Sequence, residues 1–268
     1  MFGRSIQLKT PEQFALMRQA GLVVAQIHEE VRKAIRPGVT TAQLDDVAEA
    51  VINNARAIPN FKGYHGYPAV ICTSVNEEVV HGIPQDRILE DGDVISIDAG
   101  AIVSGWHGDA AFSIGVGEIT ADAAQLLKVT EESLWQGIAA AWLGSHVGDI
   151  GFAIEKHINL TSNFGIVEGY TGHGIGTEMH MDPVVPNQGP GGRGNKLKKG
   201  MALAIEPMVT MQPGPTWVLE DEWTVVAEST AAHFEHTVAI TPNGLWVLTA
   251  PDGGKAKLAE LGIPYAGD

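Results

Sequence analysis

Helical periodicity dominates the start of the chain. Apolar side chains recur at intervals of three and four residues from 10 to 35, which places them on one face of a helix. Thr10 is suited to cap this helix, with Pro11 at its first position, and Pro37 ends it. The pattern predicts a second helix over about 41–57, again opened by a threonine, and two later helices over about 121–143 and 148–163.

Short apolar runs separated by glycine and proline follow each pair of predicted helices. Such runs are typical of β-strands. The clearest ones cover residues 94–98, 110–114, 202–206, 224–227 and 237–240.

The order of helix, helix, Gly-Tyr turn and two strands occurs twice in the chain. The matching segments are 63–66 with 169–174, 90–98 with 198–206, and 107–114 with 233–240. In the last two matches a carboxylate falls on a carboxylate, Asp98 on Glu206 and Asp109 on Glu235. The repeat predicts two halves, at about 10–118 and 119–250, related by an approximate two-fold axis.

The duplicated pattern predicts an α+β fold. The strands are expected to form one curved antiparallel sheet, with the helices covering its outer face. Residues 115–120 are predicted to form only a turn, and the Gly/Pro-rich segment 188–195 is predicted to form a surface loop. Neither segment is therefore predicted to be a linker between domains. We therefore predict a single catalytic domain over residues 1–268.

Composition limits which binding partners and which cellular location are expected. A formal net charge of −15 argues against broad electrostatic binding to nucleic acid or to anionic membranes. The single cysteine, Cys72, excludes an intramolecular disulfide and a cysteine-based zinc site. No apolar run is long enough to span a bilayer, and residues 1–5 do not lead into the apolar core of a signal peptide. We therefore expect a cytoplasmic protein.

Four acidic residues occupy positions that need a compensating positive charge. Asp98 and Glu206 each end an apolar strand, and burying such an acid is costly without a cation or a hydrogen-bond partner. For one acid alone, a strand-end cap or an ion pair is the simpler explanation. Four acids at matched positions, with Asp109 and Glu235, favour a metal, because these strands carry little positive charge.

Histidines complete the predicted site. His173 lies between two glycines, which leaves its imidazole accessible, and four carboxylates with one imidazole suit Mn²⁺, Fe²⁺, Co²⁺ or Zn²⁺. So many shared carboxylates favour two ions, about 3.5–4 Å apart, that activate water. His81 and His180 precede turns, where they either hydrogen-bond a substrate carbonyl or are ordinary loop histidines.

Seven motifs together resemble those of the type I methionine aminopeptidases. They are Tyr64-His65-Gly66-Tyr67-Pro68, the stretch from Ser74 to Pro84, Asp98-Ala99-Gly100, His107-Gly108-Asp109, Gly172-His173-Gly174-Ile175-Gly176, Ile205-Glu206-Pro207-Met208 and Glu235-His236-Thr237. The resemblance runs from about residue 10 to about residue 248. It implies the pita-bread fold and removal of the initiator methionine from nascent chains whose second residue is small. We also expect a monomer that acts on nascent N-termini, with transient ribosome contact, and the net charge argues against a nucleic-acid or membrane partner.

The resemblance also implies roles for individual residues. Asp98 would chelate one ion, Asp109 and Glu235 would bridge two, and His173 and Glu206 would complete the second site. The ions would be Co²⁺, Mn²⁺, Fe²⁺, Zn²⁺ or Ni²⁺, and Glu206 would also move a proton. His81 would contact the substrate amine or scissile amide, and His180 would stabilise the tetrahedral intermediate. The positions that would line the methionine pocket are Tyr64, His65, Tyr67, Cys72 and Trp223.

Four positions depart from the family pattern. Phe61 stands where many bacterial members carry cysteine, Met179 stands where an aromatic residue is usual beside His180, and Met181-Asp182 replaces a more acidic pair. These changes affect the shape of the substrate pocket and leave the metal ligands intact.

Two other functions remain open on the sequence. A proline-specific aminopeptidase or dipeptidase of the same fold would carry a large N-terminal domain, whereas the first helix here is predicted to begin near residue 10. A non-enzymatic homologue that binds RNA or protein would lose metal ligands, whereas all five are present, and −15 is unfavourable for RNA.

Overall fold

The computed structural model describes residues 6–267. The helices are α1 Pro11–Ala34, α2 Thr41–Ala55, α3 Ala121–Ala140, α4 Val147–Thr161 and α5 Lys255–Glu260, with a 3-10 turn at Tyr64–Gly66. The strands are β1 Ile58–Pro59, β2 Ile71–Val75, β3 Glu78–Val80, β4 Val94–Val103, β5 Trp106–Gly115, β6 Gly165–Ile166, β7 Gly172–Gly174, β8 Met181–Val185, β9 Ala202–Ile205, β10 Met208–Thr210, β11 Trp217–Val218, β12 Val225–Val226, β13 Ala231–His233, β14 His236–Thr241 and β15 Gly244–Val247. The interpretation of residues 1–5 lies outside the described residues.

All four predicted helices are present. Thr10 caps α1 as predicted: its Oγ1 accepts from Gln13 N at 3.3 Å, and Gln13 Oε1 accepts from Thr10 N at 2.9 Å. Helix α2 is capped by Thr40. It ends at Ala55, two residues earlier than predicted, because Arg56 adopts a left-handed conformation with φ of 53°.

Within residues 6–267 every pair of strands is antiparallel, as predicted, but hydrogen bonding divides the strands among four sheets and does not join them in the single sheet that was expected. The two largest contain β1, β2, β4 and β5 from the first half, and β7, β8, β9, β14 and β15 from the second. They meet where Ala111 and Glu235 exchange backbone hydrogen bonds of 3.4 and 2.9 Å. Register shifts within β7–β8 and β12–β3 interrupt the regular ladders, which a strand-by-strand prediction does not foresee.

The helices pack on the sheets and enclose an apolar core. Helix α1 contacts α2, β4 and β5, and α3 contacts α4 and β13. The main apolar cluster contains residues of both halves, from Val24 in α1 to Leu258 in α5. Among residues 6–267, no helix combines the length and the hydropathy that crossing a bilayer requires.

Two glycines let α1 lie directly on the backbone beneath it. A Cβ at Gly21 would overlap the carbonyl oxygen of Leu248, and a Cβ at Gly108 in β5 would lie 2.8 Å from Gly21 N. Gly108 directly precedes Asp109, so this close contact sets the position of the strand that carries the acid.

Gly21→Ala should therefore destabilise the protein although alanine is the better helix former. We expect the added methyl to lower the free energy of unfolding by about 1–3 kcal/mol in urea titrations, because the backbone of α1 has to move away from Leu248. Leu22→Ala, at a 44% exposed position of the same helix, should change it by less than about 0.5 kcal/mol. An unchanged or higher stability of Gly21→Ala would contradict this account of the packing.

Candidate metal centre and substrate pocket

The fold brings the five predicted metal ligands to one cavity of about 290 Å³. Asp98 lies in β4, Asp109 in β5 and His173 in β7, Glu206 follows β9, and Glu235 precedes β14. Asp98 is half-buried and the other four are buried, with Asp109 and Glu235 only 3% and 2% exposed. Each half of the chain therefore delivers acids to the same point from adjacent strands.

The ligand atoms are close enough to share a cation. One donor atom each of Asp109, His173 and Glu235 lie within 4.8 Å of one another, and His173 Nε2 is 3.4 Å from Glu206 Oε1. His173 Nδ1 lies 3.0 Å from Gly174 O. A proton on Nδ1 makes this contact a hydrogen bond and leaves the Nε2 lone pair facing Glu206, as a metal-binding imidazole requires.

Several carboxylate oxygens of this cluster lack a partner in the described chain. Asp98 Oδ1, Asp109 Oδ1 and Glu235 Oε1 are buried and accept no hydrogen bond there, and no lysine or arginine among residues 6–267 lines the cavity. Leaving such atoms unpaired is costly, and a divalent cation bound to oxygen-rich ligands removes that cost. The donor set thus fits a divalent metal ion.

Burial makes these acids weak. It raises the pKa of Asp98 to about 7 and that of Glu206 to about 8. Burial, followed by the charges of neighbouring acids in the cluster, also raises the pKa of Asp109 and of Glu235 well above their usual values. Without a cation the cluster therefore retains protons near neutral pH, and a bound metal ion displaces them.

A threonine holds the two halves of the cluster together. Thr237 Oγ1 donates to Asp109 O at 2.8 Å and accepts from Asp109 N at 3.1 Å, while Thr237 N donates to Thr249 Oγ1 at 3.1 Å. With the Ala111–Glu235 backbone pair, these bonds set the position of Asp109 relative to Glu235.

Both predicted substrate histidines line the cavity. The ring of His180 lies 4.4 Å from that of His173, and the Tyr64 hydroxyl is 2.9 Å from His180 Nδ1. Burial lowers the pKa of His81 to about 4 and, together with the charge of His65, lowers that of His180. Neutral imidazoles at this place can donate a hydrogen bond to a carbonyl oxygen without repelling a cation.

An apolar pocket adjoins the acids. Its walls include Phe61, Tyr67, Cys72, Met179 and Trp223. The Tyr67 ring lies 5.0 Å from that of Trp223, and its hydroxyl donates to Gly82 O at 2.9 Å, so the ring is held on both sides. Of the departures from the family pattern, Phe61 and Met179 thus lie in the wall of the pocket, whereas Met181 and Asp182 do not line this cavity.

One predicted pocket residue lies elsewhere, and several others were not predicted. His65 is exposed, contacts the Tyr64 ring edge-to-face with 4.4 Å between ring centroids, and does not line the cavity. The residues that the sequence interpretation missed around the cavity are Val80, Gly169, Tyr170, Thr171 and Met208. His233, whose Nε2 is 3.5 Å from Glu206 Oε2, was also missed. Its position two residues before Glu235 in extended chain, hence on the same face, was the available signal.

The chain belongs to metallopeptidase family M24, which it matches over residues 15–242. It is 49% identical over 243 residues to methionine aminopeptidase 1 of Bacillus subtilis, covering 90% of this chain and 98% of that protein. The crystal structure of methionine aminopeptidase from Thermotoga maritima superposes with a TM-score of 0.89 at 42% identity, over 91% of this chain and 99% of that one. These matches confirm the pita-bread fold and the resemblance to methionine aminopeptidases.

A proline-specific relative shares the fold at a greater distance. Prolidase from Pyrococcus furiosus matches with a TM-score of 0.72 at 22% identity, over 91% of this chain but 65% of that one. This likeness shows a common fold and nothing about the substrate.

The raised pKa values of the acids predict how stability depends on pH. The acids bind more protons in the native state than in the unfolded state at pH values between their unfolded pKa of about 4 and their folded values of about 7 and 8. Buried histidines with lowered pKa, such as His81 and His173, have the opposite effect below the unfolded histidine pKa of about 6.5. The acids therefore dominate above that value, and the melting temperature of the metal-free protein should fall as pH rises from about 7 to about 8. Added Mn²⁺ should raise it most at the upper end, where protons compete least.

The control is Glu235→Gln. This variant should melt higher than the metal-free wild type at the upper end of the range, because one buried ionisable acid is removed, and it should lose most of the stabilisation by Mn²⁺. Scanning calorimetry of both proteins with and without Mn²⁺ measures these changes. A metal-free melting temperature that rises across this range would contradict the account of the acids.

Proposed function

We propose that this protein removes the N-terminal methionine from peptides and nascent proteins whose second residue is small. The observation that carries the proposal is the cluster of four acids and one imidazole directly beside an apolar pocket. The identity to methionine aminopeptidases over almost their full length supports the same reaction.

The cluster divides naturally between two divalent ions. Asp98, Asp109 and Glu235 would hold one ion, and His173 and Glu206 would complete the site of the other, with Asp109 and Glu235 shared. Co²⁺, Mn²⁺, Fe²⁺, Zn²⁺ and Ni²⁺ all suit such oxygen-rich ligands. When bound, the ions supply Lewis acidity and lower the pKa of a coordinated water.

The residues around the metal ions would transfer a proton and bind the substrate. Glu206, with Oε1 3.4 Å from His173 Nε2 in the same cluster, would accept a proton and pass it on to the substrate. A Tyr64 hydroxyl that donates to Nδ1 of His180 leaves the proton of the imidazole on Nε2, from which it stabilises the developing oxyanion. His81, whose ring lies beside those of Trp223 and Tyr170, contacts the substrate amine or the scissile amide.

The apolar pocket selects the first side chain. The aromatic and sulfur-containing walls of Tyr67, Trp223, Phe61, Cys72 and Met179 suit a polarisable thioether. The second residue of the substrate has to lie between the acids and the two histidines, where little volume is left. Small second residues are therefore preferred.

The domain organisation, the location and the partners of the protein are also proposals. An apolar core with residues of both halves supports a single catalytic domain over residues 1–268. We further propose a cytoplasmic monomer that meets nascent N-termini, with transient ribosome contact and without nucleic-acid or membrane partners. The net charge of −15 supports the last two exclusions.

Substrate choice tests the proposal. Across Met-X-Ser peptides with metal-reconstituted protein, kcat/KM should be high for Gly, Ala or Ser at X and negligible for Leu, Lys or Arg. A chelator should abolish the activity and added Mn²⁺ or Co²⁺ should restore it. Comparable kcat/KM for Ala and Arg would contradict the proposal, and a strict need for proline at X would indicate a proline-specific peptidase.

His180→Ala tests the role of this imidazole. We expect kcat for Met-Ala-Ser to fall by an amount that corresponds to about 2.7–4 kcal/mol, with a smaller change in KM, because the hydrogen bond strengthens only in the transition state. His157→Ala, in α4 and outside the cavity, is the control and should retain kcat. If KM rises in His180→Ala and kcat stays unchanged, the imidazole binds the substrate but does not stabilise the transition state, which would contradict the proposed role.

A further inference from the structure

His233 is the least explained side chain beside the acids. It is 1% exposed, its Nε2 lies 3.5 Å from Glu206 Oε2, and both of its ring nitrogens are buried without a hydrogen-bond partner in the described part of the chain. Donor atoms of Glu206, His233 and Glu235 lie within 4.8 Å of one another. A buried polar residue in this position needs a role.

Glu206 stands between two imidazoles, one at each of its carboxylate oxygens. His173 Nε2 is 3.4 Å from Oε1, and His233 Nε2 is 3.5 Å from Oε2. The two imidazoles differ in their second nitrogen. His173 Nδ1 faces Gly174 O at 3.0 Å, whereas His233 Nδ1 has no acceptor within residues 6–267.

This difference assigns different roles to the two histidines. A metal-binding imidazole almost always donates its other N–H to an acceptor, which fixes the lone pair on the ligating nitrogen. His173 meets this condition and His233 does not. A proton on Nδ1 of His233 would be a buried donor without an acceptor, so the proton belongs on Nε2, where it faces Glu206 Oε2.

We propose that His233 is a positioning residue of the metal centre: its Nε2–H donates to Glu206 Oε2 and keeps Oε1 directed, with His173, at the metal ion. The inference rests on the proposed function, because it assumes that Glu206 is a ligand. Holding one oxygen by a hydrogen bond makes Glu206 a ligand through the other oxygen only.

The matched variants are His233→Gln and His233→Asn. The glutamine amide places an N–H where Nε2 of the imidazole was, and the shorter asparagine amide places it near Nδ1, out of reach of Glu206. Calorimetric titration of metal-depleted protein with Mn²⁺ should show affinity within a few-fold of wild type for Gln and a 10–100-fold loss for Asn. With Met-Ala-Ser, kcat should follow the same order, and KM should change less.

A control outside the site separates this role from general stability. His157 in α4 also has a buried, unpartnered Nε2, 3.5 Å from Glu132 Oε2. His157→Asn should leave the Mn²⁺ affinity unchanged even if it lowers the melting temperature of the metal-free protein.

The visible spectrum of the Co²⁺-loaded protein distinguishes positioning from direct ligation. The bands should be the same in wild type and His233→Gln if the imidazole is not a ligand. Equal losses of affinity in both variants, with altered bands in both, would make His233 a metal ligand and overturn the proposal. Unchanged affinity in both variants would also overturn it. A wild-type protein that neither binds Mn²⁺ nor cleaves Met-Ala-Ser would instead contradict the proposed function itself.

Discussion

The structure depends on one electrostatic constraint: four carboxyl groups are buried together with no lysine or arginine of the described chain beside them. Such a cluster is unstable when ionised, and the raised pKa values of Asp98 and Glu206, about 7 and 8, express that cost. Protons relieve the repulsion in the metal-free protein, and divalent cations relieve it better. Metal binding and folding stability are therefore linked through the same groups.

In the duplicated fold, acids from both halves of the chain lie at one cavity. Antiparallel strands carry Asp98 and Asp109 from the first half, and Glu206 and Glu235 border strands of the second. The Ala111–Glu235 backbone pair and the Thr237 hydroxyl join the halves directly behind the acids. Glycines at the contact between α1 and β5 allow α1 to pack closely against the strand that carries Asp109. The geometry of the cluster is thus set by strands and by the residues that directly border them.

Much of this arrangement could be predicted from the sequence. The features that could not be predicted were missed for physical reasons. Helical periodicity, the Thr10 cap and strand-end acids are local signals, and the internal repeat linked the acids across the chain. The division into four sheets depends on bulges and on pairing between distant strands, which local patterns do not encode. His65 belongs to a motif that reaches the pocket, but its own side chain points to solvent behind Tyr64. His233 was missed because one histidine beside an acid is common, and only its 3.5 Å distance from Glu206 Oε2 gives it a role.

The most direct measurement of the central claim is the number of protons released when Mn²⁺ binds to the metal-depleted protein. Calorimetric titrations near neutral pH, in buffers of different ionisation enthalpy, give this number. Because burial keeps the acids protonated in the metal-free protein, at least about one proton should leave for each ion that binds, and Glu235→Gln should release fewer. Tight binding of Mn²⁺ without proton release would show that the acids are already ionised in the metal-free protein, and would contradict the account.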